Sequence, residues 1–271
     1  MGYVVEPQTH TQPMLRVEGI SKDFVSGGQV LSVLNDVDFE AGRGEFVSII
    51  GPSGCGKSTL LNVIAGLDDP SQGSVEIDGS GLHRLGRVAY MHQKDLLLPW
   101  RTVLDNAILG LEVQGVPRSR ARERALALTE RFGLKGFEHM YPFSLSGGMR
   151  QRVAFLRTIL SERDVILLDE PFGALDALTR GHMQEWLLDL WSSFGKTIVL
   201  VTHDVDEAVF VSDRIYVFTA RPGMVKTVVP VTLPRPRGYE MVTQAPFIAL
   251  KAELLASLRE ESVRAEDAPW R

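Results

Sequence analysis

Cysteine is almost missing from this 271-residue sequence: Cys55 stands alone. A single thiol rules out an internal disulfide and fits a reducing compartment. Long apolar runs are missing as well, and none approaches the ~20 residues that a membrane-spanning helix requires. There is no long basic run, and the net charge is −5; both disfavour nucleic acid as the main partner. Residues 1–13 lack the basic-then-apolar order of a signal peptide and are expected to form a loose, flexible leader. The expected location is therefore the cytoplasm, unless another chain carries this one to a membrane. What is present is ordinary for a globular protein, with 44% hydrophobic and 23% charged residues. The length suits one large α/β unit with an appended piece, and no internal repeat or second core is legible.

The densest local signal is Gly51-Pro52-Ser53-Gly54-Cys55-Gly56-Lys57-Ser58-Thr59. It follows the apolar run 46–50 and leads into 60–65, which reads as a helix. Strand, glycine-rich loop with Gly-Lys-Ser, then helix is the context of a phosphate-binding P-loop. Glycines let successive backbone N–H groups turn inward around phosphate oxygens, and the new helix adds its unpaired N–H groups and positive end. Lys57 supplies a mobile charge for β- and γ-phosphates, and the Ser58 hydroxyl can ligate magnesium. Cys55 sits inside the loop as a space-filling thiol.

Around this loop the pattern alternates between strands and helices. Residues 15–20 read as an edge strand, 30–34 and 35–39 as strand, 74–79 as another, and 87–91 as a buried one. From 95 to 160 the character is helical, including a charge-rich helix at 118–132 with a solvated face. Two apolar runs, 165–170 and 197–202, fit central parallel strands buried on both faces. The first ends in Asp169-Glu170 and the second in His203-Asp204. A buried strand has no packing reason to finish in paired carboxylates, because buried charge is costly unless paired or metal-bound. Asp169 suits magnesium and Glu170 suits polarising an attacking water. Three polar strand ends then converge on the carboxyl edge of one sheet, where open α/β sheets hold ligands. Helices are expected at 183–194 and 205–211, strands at 214–219 and 224–229, a boundary at the proline-rich 230–236, and a last helix at 239–261. The stripe Phe247, Leu250, Leu254 and Leu258 on that helix is expected to pack on the core.

Between the P-loop and the Asp169 strand lies Leu145-Ser146-Gly147-Gly148-Met149-Arg150-Gln151. The set resembles the ATP-binding cassette (ABC) family, in the family's order, over residues 15–223. Ser146, Gly147 and Gly148 match its signature motif, Gln93 its Q-loop glutamine, Ala174-Leu175-Asp176 its D-loop, and His203 its switch histidine. Phe24 falls where the family places its adenine-stacking aromatic, although a lone aromatic there can equally be core. Departures are small: Met149 replaces the commoner glutamine, Gly173 precedes Ala174 where serine is usual, and Phe24 stands for tyrosine.

The resemblance implies an α/β fold: a P-loop NTPase with a RecA-like parallel-sheet core, an antiparallel β subdomain and an α-helical subdomain. It divides the chain into a leader at 1–13, an ATPase domain at 14–238 with its helical part at 95–160, and a C-terminal helix and tail at 239–271. It implies ATP and Mg²⁺, the metal held by Ser58, Gln93 and Asp169. Lys57, Gln93, Glu170 and His203 would act in hydrolysis, while Asp176 would link two sites. It further implies a homodimer with two ATP at its interface, each P-loop facing the other copy's Ser146, Gly147 and Gly148. The segment around Leu97-Leu98-Pro99-Trp100-Arg101-Thr102 resembles importers of nitrate, sulfonate and taurine, and other features resemble pyrimidine-precursor importers. The apolar 96–100 stretch is either core or, with Gln93, the place where a membrane permease docks. A solute-binding protein outside the membrane would work through that permease. The alternatives are a separate-chain exporter and a non-transport ABC ATPase. DNA-repair members need a long coiled coil before the signature, and the stretch from Thr59 to Ser146 is too short for one.

Overall fold

The computed structural model describes residues 12–267 other than Leu82 and Ala174; residues 1–11 of the expected leader, Ala174 of the expected D-loop and 268–271 of the tail lie outside it. β1 (Leu15–Ser26) and β2 (Gln29–Ala41) form an antiparallel hairpin. β3 (Phe46–Ile50) runs into the P-loop and α1 (Lys57–Ala65). β4 (Gln72–Ile77) returns to pair with β1, so β1 is the middle strand of a three-stranded sheet, β2-β1-β4, and not an edge. Its alternation reflects one buried face; position in a sheet leaves no mark on a single strand's pattern. The two segments expected at 30–39 are one continuous strand, β2.

After β5 (Val88–Met91) comes the helical insert: α2 (Val103–Ala107), α3 (Leu109–Val113), α4 (Arg118–Thr129), a 3₁₀ turn (Pro142–Ser144) and α5 (Gly147–Leu160). α4 buries only Ala121, Ala125 and Thr129; Arg120 and Glu123 are exposed, while Arg118 and Arg122 pair with Asp105 and Arg124 with Glu162. β6 (Val165–Asp169), α6 (Ala177–Phe194), β7 (Thr197–Thr202), α7 (Val205–Val211), β8 (Arg214–Phe218), β9 (Val225–Pro230) and α8 (Ala245–Asp267) complete the chain. α6 begins six residues before its expected start because Asp176 caps it, accepting from Thr179 N at 3.0 Å.

The second sheet has the order β5-β6-β7-β3-β8-β9, parallel except for β9. β3, β6 and β7 are buried along their whole length, and successive side chains alternate between two cores. Phe46, Ile50, Ile166, Leu168, Ile198 and Leu200 face the core shared with the helical insert, α5, α6, α7 and α8. Val47, Ile49, Val165, Leu167, Val199 and Val201 face the core shared with α1 and the three-stranded sheet.

The C-terminal stripe packs as its spacing requires: Phe247 and Leu254 are buried in the first core, with Leu250 and Leu258 against it. The proline-rich stretch is packed too. Val231 and Leu233 are buried, and Arg237 donates to the carbonyls of Val209, Phe210 and Ser212, which closes the C-terminal end of α7. Among the described residues no helix is long and apolar enough to cross a membrane.

One buried acid stands beneath the β7 end. Glu207 Oε2 accepts from the Thr202 hydroxyl at 2.7 Å, while Oε1 has no hydrogen-bond partner. Burial pushes the Glu207 carboxyl from its ordinary 4.5 up to about 8. At neutral pH the folded chain therefore holds a proton there that the unfolded chain has released. Its contribution to stability is full below about pH 4.5 and is lost as pH rises through about 8. Glu207→Gln should flatten that part of the profile, gaining on wild type by roughly 1 kcal/mol per pH unit between pH 6 and 8. Denaturant unfolding at several pH values measures this; parallel profiles for the two proteins would contradict it.

Candidate functional site

Gly56 shows why the P-loop is glycine-rich here. Its φ is +107°, and a Cβ would stand 2.7 Å from Leu34 Cδ2 and 2.9 Å from Val33 O. Only glycine lets β2 press against the loop at this point. No side chain caps the start of α1, and its first residues, Lys57, Ser58 and Thr59, line a cavity, where uncapped N–H groups suit an anion. That cavity has a volume of about 500 Å³. Ser53, Gly54, Gly56, Lys57, Ser58 and Thr59 line one side; Gln93, Glu170 and His203 line the other, with Val33 and Arg221 at the rim.

Lys57 is buried and donates to the carbonyls of Gly51 (2.8 Å) and Pro52 (2.9 Å). Cys55 lies behind the loop, where burial pushes its thiol up and keeps it protonated. At the floor, the Ser58 hydroxyl donates to Asp169 Oδ1 at 3.1 Å, and the Tyr90 hydroxyl reaches Oδ2 at 3.4 Å. Burial raises the Asp169 carboxyl above the usual range, against the lowering effect of the Ser58 bond.

The next residue leaves the strand abruptly. Glu170 has φ +45°, a left-handed conformation seldom taken by residues other than glycine. Strain of this kind gathers at functional sites and persists where its surroundings fix it. Glu170 N donates to Val201 O at 2.8 Å, and both carboxylate oxygens are held: Gln93 Nε2 donates to Oε2 at 2.9 Å, and His203 Nδ1 lies 3.2 Å from Oε1. Gln93, Glu170 and His203 follow three neighbouring strands, β5, β6 and β7, and meet at the cavity mouth.

Other expected residues stand elsewhere. Ser146 caps the 14-residue α5, accepting from Met149 N at 3.3 Å. Ser146 and Gly147 are exposed, and neither they nor Gly148 lines this cavity. Asp176 is exposed at its cap, its carboxyl held low by the Thr179 N–H. Phe24 is 40% exposed, so it is not core; it sits opposite Leu31 on the hairpin, with the Lys22 ammonium 4.9 Å from its ring centre. In the 96–100 stretch Leu97 is buried, while Leu96 and Trp100 are exposed, so the segment is partly core and partly surface. Arg221, Val33 and Tyr90 are site residues that no short motif singles out. Arg221 follows β8 in a turn-like Arg-Pro-Gly, whose composition speaks only of a turn.

This arrangement can be set beside known proteins. A family model described as ABC transporter matches residues 34–173. An uncharacterized ABC transporter ATP-binding protein of Methanocaldococcus jannaschii is 42% identical over 261 residues, covering 96% of this chain and 97% of that protein. The formylaminopyrimidine import ATP-binding protein ThiZ of Halalkalibacterium halodurans is 42% identical, covering 93% and 98%. The aliphatic sulfonates import ATP-binding protein SsuB of Bacillus subtilis is 42% identical, covering 88% and 92%. Among solved structures, the bacterial ABC transporter cassette MJ0796 matches in its dimeric form with TM-score 0.71. Its dimeric post-hydrolysis state bound to ADP and Pi matches with 0.72. Each is 33% identical, covering 82% of this chain and all of that one. Fold, cavity and relatives agree, and the chain belongs to the ABC transporter family as one of its ATP-binding cassettes.

Proposed function

We propose that this chain is the ATP-hydrolysing subunit of an ABC importer and energises uptake of a small solute through a separate membrane permease. The observation that carries the hydrolytic part is Glu170, held by Gln93 and His203 at the mouth of the P-loop cavity. A carboxylate fixed at both oxygens can take a proton from water as that water attacks the γ-phosphorus. The bond to the ADP oxygen breaks, and inorganic phosphate and ADP leave. Such catalysis is mostly positioning and electrostatics, which suits a strained but fully tethered Glu170. Lys57 exchanges its carbonyl partners for phosphate oxygens. The loop and α1 N–H groups hold the remaining negative charge.

Magnesium fits the donors present. It takes one or two carboxylates, hydroxyls and substrate phosphates in place of an all-protein cage. Ser58 and Asp169 are such a pair, with Gln93 lining the same cavity as Ser58, and among the described residues there is no cluster of three or more acidic, histidine or cysteine ligands. When bound, the ion neutralises phosphate charge.

Ser146, Gly147 and Gly148 are the second half of the site. They form an exposed helix N-terminus outside their own chain's cavity, which suits a head-to-tail pair, and the dimeric state of the MJ0796 neighbour supports pairing of two cassettes. Phe24 is the surface for adenine, Asp176 the link between the two sites, and the exposed Leu96 and Trp100 the permease contact. The chain divides into an ATPase domain at 14–238 and a C-terminal helix and tail at 239–271, with α8 packed into the first core. Relatives named for sulfonate and formylaminopyrimidine import support the import reading, and with it a permease partner, a periplasmic or extracellular solute-binding protein acting through that permease, and a peripheral place on the cytoplasmic membrane face. The solute lies in that range of small polar compounds.

Glu170→Gln keeps the shape and loses the base. Steady-state turnover should fall by about 10²–10⁴ while ATP binding persists, with the nucleotide-bound dimer accumulating; turnover at the wild-type rate would remove Glu170 from its role. Ser146→Arg places a bulky cation at the α5 cap. Binding of ATP to the monomer should survive and ATP-dependent dimerisation should disappear, as read by light scattering, whereas dimerisation like wild type would contradict the two-halves site.

A further inference from the structure

The loop between β8 and β9 is built onto the P-loop. Gly223 donates its N–H to Val33 O at 2.9 Å, and its carbonyl accepts from Asn35 N at 3.1 Å, which stitches the loop to β2. A Cβ on Gly223 would stand 2.2 Å from Cys55 O, so the two backbones touch. From this position Arg221 donates twice to the Gly54 carbonyl, from Nε at 3.0 Å and from Nη2 at 2.9 Å. Charged donors make stronger bonds than neutral ones. On the other side, the C-terminal helix holds the same loop. Glu261 is 1% exposed; its Oε2 accepts from Ala220 N at 3.0 Å, and its Oε1 lies 3.0 Å from Lys226 Nζ.

These contacts bear on phosphate binding. In a trans peptide, C=O and N–H point in opposite directions. The Arg221 guanidinium holds the Gly54 carbonyl, and the Cys55 N–H of the same peptide donates to Pro52 O at 3.4 Å, so this peptide is fixed at both ends. A phosphate needs N–H groups facing it. A Gly54 carbonyl released from the guanidinium is free to present its oxygen to a bound phosphate, which repels it.

We propose that Arg221 is a positioning residue for the nucleotide, keeping the Gly54 carbonyl engaged and the Gly54–Cys55 peptide of the P-loop in one orientation, and that Glu261 holds Arg221's loop in place. The C-terminal helix thereby sets nucleotide affinity. This rests on the P-loop being the phosphate site.

The test is equilibrium binding of ATP and, separately, of ADP to the full chain, with steady-state ATPase and thermal unfolding on the same samples. Arg221→Ala should weaken both nucleotides about tenfold, raising KM while kcat stays within about twofold. Arg221→Lys should recover part of the loss. Glu261→Ala should weaken binding in the same sense, and the double variant should bind no more weakly than Arg221→Ala, because the two residues act along one path. If Glu261→Ala does not fold, Glu261→Gln takes its place, with a smaller loss expected. A folded Arg221→Ala with wild-type affinity overturns the inference even if its melting temperature falls, and additive losses overturn the link to Glu261. A wild-type chain that binds neither nucleotide overturns the phosphate-site reading and this inference with it.

Discussion

Asp169 pairs with Val201 and Ile50 with Thr202 in a sheet whose central strands run parallel. That register decides where chemistry can occur. β3, β6 and β7 are buried on both faces, so charged side chains are confined to where the strands stop, and the one polar side chain within β3, Ser48, is paired with Ser212. Parallel strands stop on the same edge, and Asp169-Glu170 and His203 therefore arrive beside a P-loop that precedes them by more than a hundred residues. Two cores press on this sheet from either side and make the register rigid.

The site departs from good folding practice at the points where it acts. Glu170 takes a left-handed backbone, Asp169 is buried as an acid, and Lys57 is buried with only carbonyls and a distant thiol for company. Each is held by neighbours whose own positions come from the core: Val201 O for Glu170, Ser58 and Tyr90 for Asp169, and the Gly51 and Pro52 carbonyls for Lys57. A rigid sheet thus supports a locally unfavourable edge, while the exposed Ser146 helix cap remains outside the cavity.

Much of this was legible in the sequence because the central strands are short, apolar and bounded by polar residues. The runs at 46–50 and 197–202 coincide with β3 and β7, the run at 165–170 overshoots β6 by Glu170 alone, and the Lys57, Gln93, Glu170 and His203 set meets in one cavity. Other features leave no local trace. The alternation at 15–20 states that one face is buried and cannot say that β1 has neighbours on both sides. Asp176 reads as part of a loop until its carboxylate is seen capping α6. Arg221 sits in a turn-like triplet, and its meaning comes from contact with Gly54, 167 positions away. Phe24 carries two readings in sequence, and only its exposure removes one of them.

The central claim is that one chain holds only half of each ATP site. Its most direct test is specific ATPase activity measured across a range of chain concentrations, with mass determined by light scattering in the same samples. The account predicts that activity per chain rises with concentration in step with the dimer fraction. Undiminished activity per chain in samples shown to be monomeric would contradict it.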